Sequence, residues 1–325
     1  MERSKRNIIF SCLLAVAILF GFSAITRAAY PERPITMICP YAGGEYALRP
    51  VANYVEKALG QPVIIVTKAG ASATIACGLL ASAKPDGYTL GQITFGPVTM
   101  GPHLYNINYD PLNSFEYIIG YGKWEYGPCV RSDSPFKTLK DLVDYAKANP
   151  GIIKYSTVGL ATPTHFGMVH LAKAEGIKWE VVVFKDVQGA VTAGLGGHLQ
   201  VVSQTTGTML PYIKAGQVRL LASFSDVRCK WAPDIPTARD LGYNFDVVSW
   251  LSFGTPKGVP KEIMEKLRTV FKKAVNDPEV LSLMDKIFVN IAYRTPEEFK
   301  KLVEIGYKEN EKVIRELGLH KSQQK

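Results

Sequence analysis

Short apolar runs alternate with amphipathic segments through the first part of this sequence. Residues 35 to 39 and 63 to 66 predict two buried strands, and residues 51 to 59 carry apolar side chains at helical spacing between them. A helix near Leu79, a Pro-Asp-Gly turn and a strand at 88 to 93 follow. This order of strand, helix, strand, helix and strand predicts a parallel sheet covered by helices.

A second unit of the same kind begins after Cys129. The carboxyl-terminal third of the chain is helical, most clearly over 263 to 274. Because no disordered linker separates the two units, we expect structured strands to connect them, as in two lobes joined by a hinge. In the second unit the predicted helices cover 139 to 148, start near 164 and cover 190 to 195, and the predicted strands are 154 to 156, 181 to 184, 199 to 203 and 220 to 224.

The amino terminus has the composition of a secretory signal peptide. Basic residues Arg3, Lys5 and Arg6 precede an uncharged apolar run from Ile8, and small residues end the segment at Ala28. The apolar run is shorter than the roughly twenty residues that a helix needs to span a bilayer. We therefore expect residues 1–28 to be removed and the remaining chain to be exported as a soluble protein.

The sequence lacks the short motifs that mark common enzyme classes. The patterns GxSxG, HExxH and GxGxxG and the Walker loop are all absent. Among the five histidines, His165 and His170 form the one close pair, and their spacing turns them apart on a helix with no carboxylate beside them. We therefore expect no enzyme activity, no metal and no cofactor. The net charge of +9 comes from dispersed lysines, which predicts no nucleic-acid partner.

Loops of small residues follow several predicted strands, at the points where helices begin. In an open parallel sheet such loops lie at one edge, where ligands bind, and their N–H groups and the positive ends of the helices suit an anion. Thr162 and Thr164 add hydroxyl groups at a helix start in the second unit, where capping and ligand contact are both open. The first unit contributes these candidate ligand-binding residues: Tyr41, Ala42, Gly43, Gly44, Glu45, Tyr46, Gly70, Ala71, Ser72, Ala73, Phe95 and Gly96.

Longer motifs occur in a fixed order along the chain after the signal peptide. They include Pro40-Tyr-Ala-Gly-Gly, Ala83-Lys-Pro-Asp-Gly-Tyr-Thr-Leu, Ile213-Lys-Ala-Gly, Asp234-Ile-Pro-Thr and Thr295-Pro-Glu-Glu-Phe. With these motifs the chain resembles the tripartite tricarboxylate transporter receptors, the Bug-type solute-binding proteins of Gram-negative bacteria. The resemblance covers the whole chain after residue 28.

The resemblance implies an α/β fold of the two-lobed periplasmic-binding-protein type, similar to type II. Each lobe would be a mainly parallel sheet flanked by helices, with lobe 1 formed by 29–124 and 254–325 and lobe 2 by 125–253. A small carboxylate, either a dicarboxylate or an aromatic acid, would lie between the lobes of a monomer in the periplasm. The partners would be integral membrane transporter subunits; the alternative is a ligand sensor that feeds a two-component kinase.

Two loops depart from the family pattern close to the expected site. The first loop is two residues shorter than usual, so Glu45 occupies the usual aspartate position, where it would accept a ligand hydroxyl or orient water. Gln204 and Thr205 stand where the family often has Asp-Asn, and the loss of a negative charge favours an anionic ligand. Lys185 would either pair with a distal carboxylate of the ligand or stay solvated. Trp124 and Tyr126 would either pack in the hinge or stack on an aromatic ligand.

Overall fold

The computed structural model describes residues 30–41, 44–160 and 162–324. The predicted signal peptide, 1–28, therefore lies outside the described residues. Contacts divide the chain into two segments, Met1–Glu32 and Arg33–Lys325, and all the helices and strands described below belong to the segment Arg33–Lys325. Within the described part of the chain, no helix combines the length and the apolar composition needed to cross a membrane.

Three parallel strands form one end of the sheet. Strand β1, Ile35–Cys39, lies between β2, Val63–Thr67, and β3, Thr89–Thr94, and is parallel to both. Helix α1, Glu45–Leu59, follows β1, and helix α2, Thr74–Ala81, precedes β3. Strand β1 is almost entirely buried, as expected for a parallel strand with helices on both faces. The predicted alternation of strands and helices is confirmed here.

One long strand connects this end of the sheet to the other. After two short helices, α3 (Phe95–Thr99) and α4 (Gly101–Leu104), strand β4 runs for 17 residues over Phe115–Arg131. All but three of its residues are buried. Because β4 is covered on both faces, its sequence does not alternate between apolar and polar residues, and periodicity does not reveal it.

Three more parallel strands form the opposite end of the sheet. Strand β5, Lys154–Thr157, lies between β6, Glu180–Val183, and β7, Val201–Thr205. Strand β7 in turn pairs with β4 in antiparallel orientation. The helices of this part are α5 (Leu139–Ala148), α6 (Pro163–Glu175), α7 (Val187–Leu195) and α8 (Thr206–Lys214).

The strand predicted over 220 to 224 is shorter and begins earlier. Strand β8 spans Val218–Leu220 and pairs with β4 in antiparallel orientation. Beyond it the chain keeps beside β4 through single hydrogen bonds, since the Leu221 and Phe224 N–H groups donate to the Pro128 and Tyr126 carbonyls. The irregular pairing ends the regular ladder at Leu220.

The chain returns through a second long strand. Strand β9, Val248–Pro256, pairs antiparallel with both β3 and β4. The remaining elements are α9 (Lys261–Ala274), α10 (Pro278–Lys286), β10 (Asn290–Arg294), which pairs with β4, and α11 (Pro296–Glu316). The expectation that structured strands connect the two units is therefore confirmed. The predicted lobe boundaries at 124/125 and 253/254 lie within β4 and β9, and the lobe assignment stays a prediction.

The sheet is mixed, with antiparallel pairs at its centre. Its order is β2-β1-β3-β9-β4-β7-β5-β6, with a parallel trio at each end. Every antiparallel pair of named strands among the described residues involves β4 or β9. The parallel prediction thus holds for the outer six strands, and the two connecting strands bring the antiparallel pairs.

Candidate functional site

The ends of all six parallel strands border one cavity of about 690 Å³. Three antiparallel pairings separate the two trios, so the trios run in opposite directions and the carboxyl ends of their strands face each other across the cavity. Carboxyl strand ends are where ligands bind in α/β sheets. Each strand end supplies a lining residue: Tyr41 after β1, Gly70 after β2, Gly96 after β3, Val158 after β5, Lys185 after β6 and Thr205 at the end of β7.

The structure brings most of the predicted site residues together around this cavity. Ala42 and Gly43 lie outside the described residues, and Glu45, Ala71 and Phe95 do not line the cavity. The predicted residues that do line it are Tyr41, Gly44, Tyr46, Gly70, Ser72, Ala73, Gly96, Thr162, Thr164, Lys185, Gln204 and Thr205.

Contacts elsewhere explain why Glu45 and Phe95 are displaced from the cavity. The Glu45 carboxylate accepts a hydrogen bond from the Thr67 hydroxyl, and this bond lowers the pKa of Glu45. The Phe95 ring packs against Gly306 of α11, where an added Cβ would lie only 2.2 Å from it. Both contacts cross between segments far apart in sequence, so the loop motif alone does not predict them.

Five helices begin at the cavity wall. The N-cap residues of α1, α2, α6, α7 and α8 are Gly44, Ala73, Thr162, Asp186 and Thr205, and all five line the cavity. The amino end of a helix carries roughly half a positive charge and presents unpaired N–H groups. Converging helix starts make this cavity favourable for an anion.

Three threonine hydroxyl groups form a compact cluster at the start of α6. Thr157 Oγ1 lies 3.1 Å from Thr162 Oγ1 and 2.8 Å from Thr164 Oγ1, and the last two are 2.8 Å apart. Thr162 occupies the N-cap position, yet its side chain makes no capping hydrogen bond; its hydroxyl donates to the Gly159 carbonyl instead. The Thr162 side chain therefore does not cap α6, and contact with a ligand remains its candidate role.

Gln204 offers an unpaired hydrogen-bond donor to the cavity. Its side chain is 3 % exposed and lines the cavity from β7. The Oε1 atom accepts from the Thr205 N–H at 3.0 Å, whereas Nε2 has no hydrogen-bond partner among the described residues. A buried amide that lacks a partner costs roughly 1–3 kcal/mol. A ligand oxygen at this point would satisfy the donor.

Aromatic side chains form the wall beside β4. The Tyr41 and Trp124 rings meet edge to face with their centroids 5.8 Å apart, and Tyr126 lines the cavity beside them. The Tyr41 hydroxyl is 2.8 Å from Thr94 Oγ1, and burial raises the pKa of Tyr41 to about 12. Tyr41 is therefore neutral at physiological pH. Trp124 and Tyr126 both line the cavity, where they present surface to a ligand.

The loop between β2 and α2 carries backbone strain at the cavity wall. Ala71, Ser72 and Ala73 have φ values of 45°, 51° and 72°, a left-handed conformation that non-glycine residues rarely adopt. Such a conformation costs of order 1–3 kcal/mol per residue and is concentrated at functional sites. The loop motif identified from sequence is thus held in a conformation that places Ser72 and Ala73 on the cavity.

Loop motifs do not reveal two polar side chains that lie within strands. Gln92 of β3 and Ser249 of β9 both line the cavity and are 3 % exposed. Gln92 Nε2 donates to the Tyr121 hydroxyl at 2.5 Å, so one of the two N–H groups of this amide is already occupied. The available signal was a polar residue inside an otherwise apolar strand, which indicates either a buried hydrogen bond or a site.

The two parallel trios, the connecting strands and the cavity at the strand ends define a solute-binding protein of the periplasmic type. Solved structures have the same fold: the chain superimposes on the periplasmic binding protein BugD with a TM-score of 0.78 and 28 % identity, covering 90 % of this chain and 99 % of that one. Rpa4515 of R. palustris, solved with adipate, gives a TM-score of 0.80 at 23 % identity over 88 % of this chain and 97 % of that one.

The chain belongs to the tripartite tricarboxylate transporter family of receptors, whose family description matches residues 47–319. A Cupriavidus necator relative, the UPF0065 protein in the gbd 5' region, is 32 % identical over 96 % of this chain and 97 % of its own length. Protein BugT of Bordetella pertussis is 27 % identical over 94 % of this chain and 97 % of its own. Because members of this family are periplasmic solute-binding receptors, the prediction of a binding protein rather than an enzyme is confirmed.

Proposed function

We propose that this receptor captures a small carboxylate in the cavity and delivers it to the membrane subunits of a tripartite tricarboxylate-type transporter. The observation that carries the proposal is the unpaired Gln204 Nε2 donor in a cavity on which five helix starts converge. A carboxylate has lone pairs for the amide and a negative charge for the helix ends. The predicted signal peptide supports export of the chain to the periplasm, where such a receptor would meet its ligand.

The shape of the cavity favours an acid with an aromatic body. Tyr41, Trp124, Tyr126, Met100 and Leu104 all line the cavity, so much of its lining is apolar or aromatic. An aromatic ring stacked there gains roughly 0.5–1.5 kcal/mol beyond the burial of its area. The proposed ligand is therefore a carboxylate on an aromatic ring, with its charged end at the helix starts.

A dicarboxylate is the second candidate, and Lys185 is the observation that favours it. Lys185 is exposed at the cavity mouth and is the one cationic side chain among the described lining residues. Its ammonium group would pair with a second carboxylate distant from the helix starts. Asp186 lies next to it in the same wall, which reduces the net positive charge there.

A thermal-shift screen of the mature protein separates the two ligand classes. The panel contains aromatic monocarboxylates together with adipate and malate. Binding is detectable as a thermal shift, because a ligand at 100 times its dissociation constant adds about 2.7 kcal/mol of stability. We expect aromatic acids to raise the melting temperature and Trp124→Ala to remove that shift. A shift with dicarboxylates alone that Lys185→Met removes would replace the aromatic proposal. An empty protein, shown by native mass spectrometry, that no acid stabilises would contradict carboxylate binding.

Thr162→Val is expected to weaken binding without unfolding the protein. The substitution keeps the shape of the side chain but removes a hydroxyl whose proton would turn from the Gly159 carbonyl to a ligand oxygen, which should lower affinity by roughly fivefold, or about 1 kcal/mol. Because the side chain does not cap α6 but does lose its hydrogen bond to Gly159, the free energy of unfolding should fall by no more than about 1 kcal/mol. Isothermal titration with the best acid and urea denaturation measure the two quantities.

Thr138→Val is the matched control for this substitution. Thr138 caps α5 through a capping box with Asp141, far from the cavity lining. Its loss should cost about 1 kcal/mol of stability and leave affinity unchanged. An unchanged affinity in Thr162→Val would remove this hydroxyl from the site.

A further inference from the structure

Two buried histidines and a glutamate lie together on the side of α4 that faces α11. His103 of α4, Glu311 of α11 and His320 of the tail after α11 each offer one ligand atom, and these three atoms all lie within 4.8 Å of one another. His103 is 2 % exposed and His320 is 6 % exposed. The three residues come from separate parts of the sequence, so spacing along the chain does not suggest the group.

The His103 ring is held by a hydrogen bond from one of its two nitrogens. Its Nε2 atom is 2.9 Å from the Tyr307 carbonyl oxygen. A carbonyl only accepts hydrogen bonds, so Nε2 carries the proton and Nδ1 keeps a free lone pair. Metal-binding histidines characteristically donate their second ring N–H in this way, which fixes the ring and its tautomer.

The His320 ring is held in the complementary way. Its Nδ1 atom lies 2.7 Å from the Ser322 hydroxyl and 3.2 Å from the Ser322 N–H group. Without a cation, Nδ1 accepts from the Ser322 N–H group and Nε2 carries the ring proton. When Nε2 binds a cation, it loses that proton and Nδ1 takes one up, so Nδ1 then donates a hydrogen bond to the Ser322 hydroxyl. The His320 ring centroid is 5.9 Å from that of His103.

Glu311 has one oxygen occupied and one available. Both Arg315 contacts, from Nε at 2.9 Å and Nη2 at 2.7 Å, go to Oε1 of Glu311, which leaves Oε2 for a cation. Besides Arg315, Lys321 lies near both histidines, so two positive charges oppose part of the attraction of Glu311 for a cation. Loss of solvation lowers the pKa of both His103 and His320.

We propose that His103, Glu311 and His320 form a site for a divalent transition metal of the Zn²⁺ class. Two imidazoles and one carboxylate, with a water as the fourth ligand, are a common donor set for Zn²⁺. Tetrahedral bonds of about 2.0–2.1 Å would bring the ligand atoms to roughly 3.3 Å from one another, so the most distant pair, at up to 4.8 Å, closes by up to about 1.5 Å. Magnesium and calcium prefer all-oxygen sites and should not compete.

The position of the group gives the metal a structural role. His320 lies in the tail that follows α11, and His103 lies between Gly101 and Leu104, which both line the ligand cavity. A bound metal would therefore fasten the tail and α11 to the short helix behind the cavity. We expect Zn²⁺ to raise the melting temperature and to protect the tail from carboxypeptidase digestion.

The test is a titration of Zn²⁺ into untagged mature protein from which metals have been removed with EDTA. We expect one equivalent to bind with a micromolar or lower dissociation constant, and Mg²⁺ at millimolar concentration to leave it unchanged. Glu311→Gln and His320→Gln preserve side-chain size and should each weaken Zn²⁺ binding at least tenfold. His198→Gln, at an exposed histidine of the described chain far from the group, is the matched control and should bind as the original protein does.

Three results would overturn the proposal. The first is the absence of stoichiometric Zn²⁺ binding to the original protein. The second is an unchanged affinity in both Glu311→Gln and His320→Gln, with circular dichroism showing that the variants are folded. The third is an equal loss in His198→Gln, which would show adventitious binding by surface histidines.

Discussion

Gly127→Ala is expected to lower the free energy of unfolding by about 3 kcal/mol, the upper end of the usual cost of overpacking. Gly127 lies in the connecting strand β4, opposite Gln204 of β7. An added Cβ would lie 2.2 Å from the Ala222 carbonyl oxygen and 2.7 Å from Leu220 Cδ1. The Leu220 side chain can rotate, but a backbone oxygen cannot, so the strands themselves would have to move apart. Urea denaturation of the ligand-free protein measures the effect.

Gly96→Ala is the control for this steric argument. A Cβ at Gly96 would meet no atom within 4 Å, and the residue lies in the short helix α3. We expect its stability to change by less than about 0.5 kcal/mol, since alanine is at least as good a helix former as glycine. Equal stability of the two variants would show that β4 and the segment after β8 are not packed as tightly as described.

Gln204→Leu is expected to reduce carboxylate affinity by roughly 10- to 100-fold. A hydrogen bond to a charged group contributes about 1.5–3 kcal/mol, and Gln204 Nε2 is a buried donor with no partner among the described residues. Leucine fills a similar volume but offers no N–H group. Isothermal titration with the best acid from the screen measures the loss.

Gln92→Leu is the same substitution at a second glutamine of the cavity. Its Nε2 already donates one of its two N–H groups to the Tyr121 hydroxyl, so the substitution takes fewer free donors from the cavity than Gln204→Leu does. We expect its effect on affinity to stay below about threefold, although the loss of a buried hydrogen bond should cost roughly 1 kcal/mol of stability. If Gln92→Leu weakens binding as much as Gln204→Leu, the distinction between free and occupied donors is wrong.

Sequence patterns predict the outer strands and their helices well, because the strands are short apolar runs and the helices carry apolar residues at helical spacing. Helix α5 was predicted over 139 to 148 and spans Leu139–Ala148. Strand β1 was predicted over 35 to 39 and spans Ile35–Cys39. Strand β4 is different, because it is buried on both faces and carries the charged residues Lys123 and Glu125 in its interior. Their partners, Asp226 for Lys123 and Asn290 for Glu125, are distant in sequence.

The candidate site was predictable where it depends on chain direction and not where it depends on side-chain contacts. Within each trio, parallel strands bring their carboxyl ends to one edge, which is why the loops after β1, β2 and β3 lie together at the cavity; the end of β7 faces them from the opposite trio. The direction of Glu45 depends on Thr67, which is nearby only in the folded chain. Likewise the proximity of His103 and His320 depends on α4 and the tail after α11, so spacing along the chain does not reveal it. The expectation of no metal stays a prediction.

The most direct test of carboxylate recognition compares an acid with its neutral primary amide. The two ligands have the same shape, but only the acid brings a full negative charge to the helix starts and an acceptor pair to Gln204 Nε2. Isothermal titration of the mature protein should show the acid binding at least 100-fold more tightly than the amide, or about 2.7 kcal/mol. Equal affinity for the two ligands would contradict the account, because the cavity would then recognise the body of the molecule and not its carboxylate.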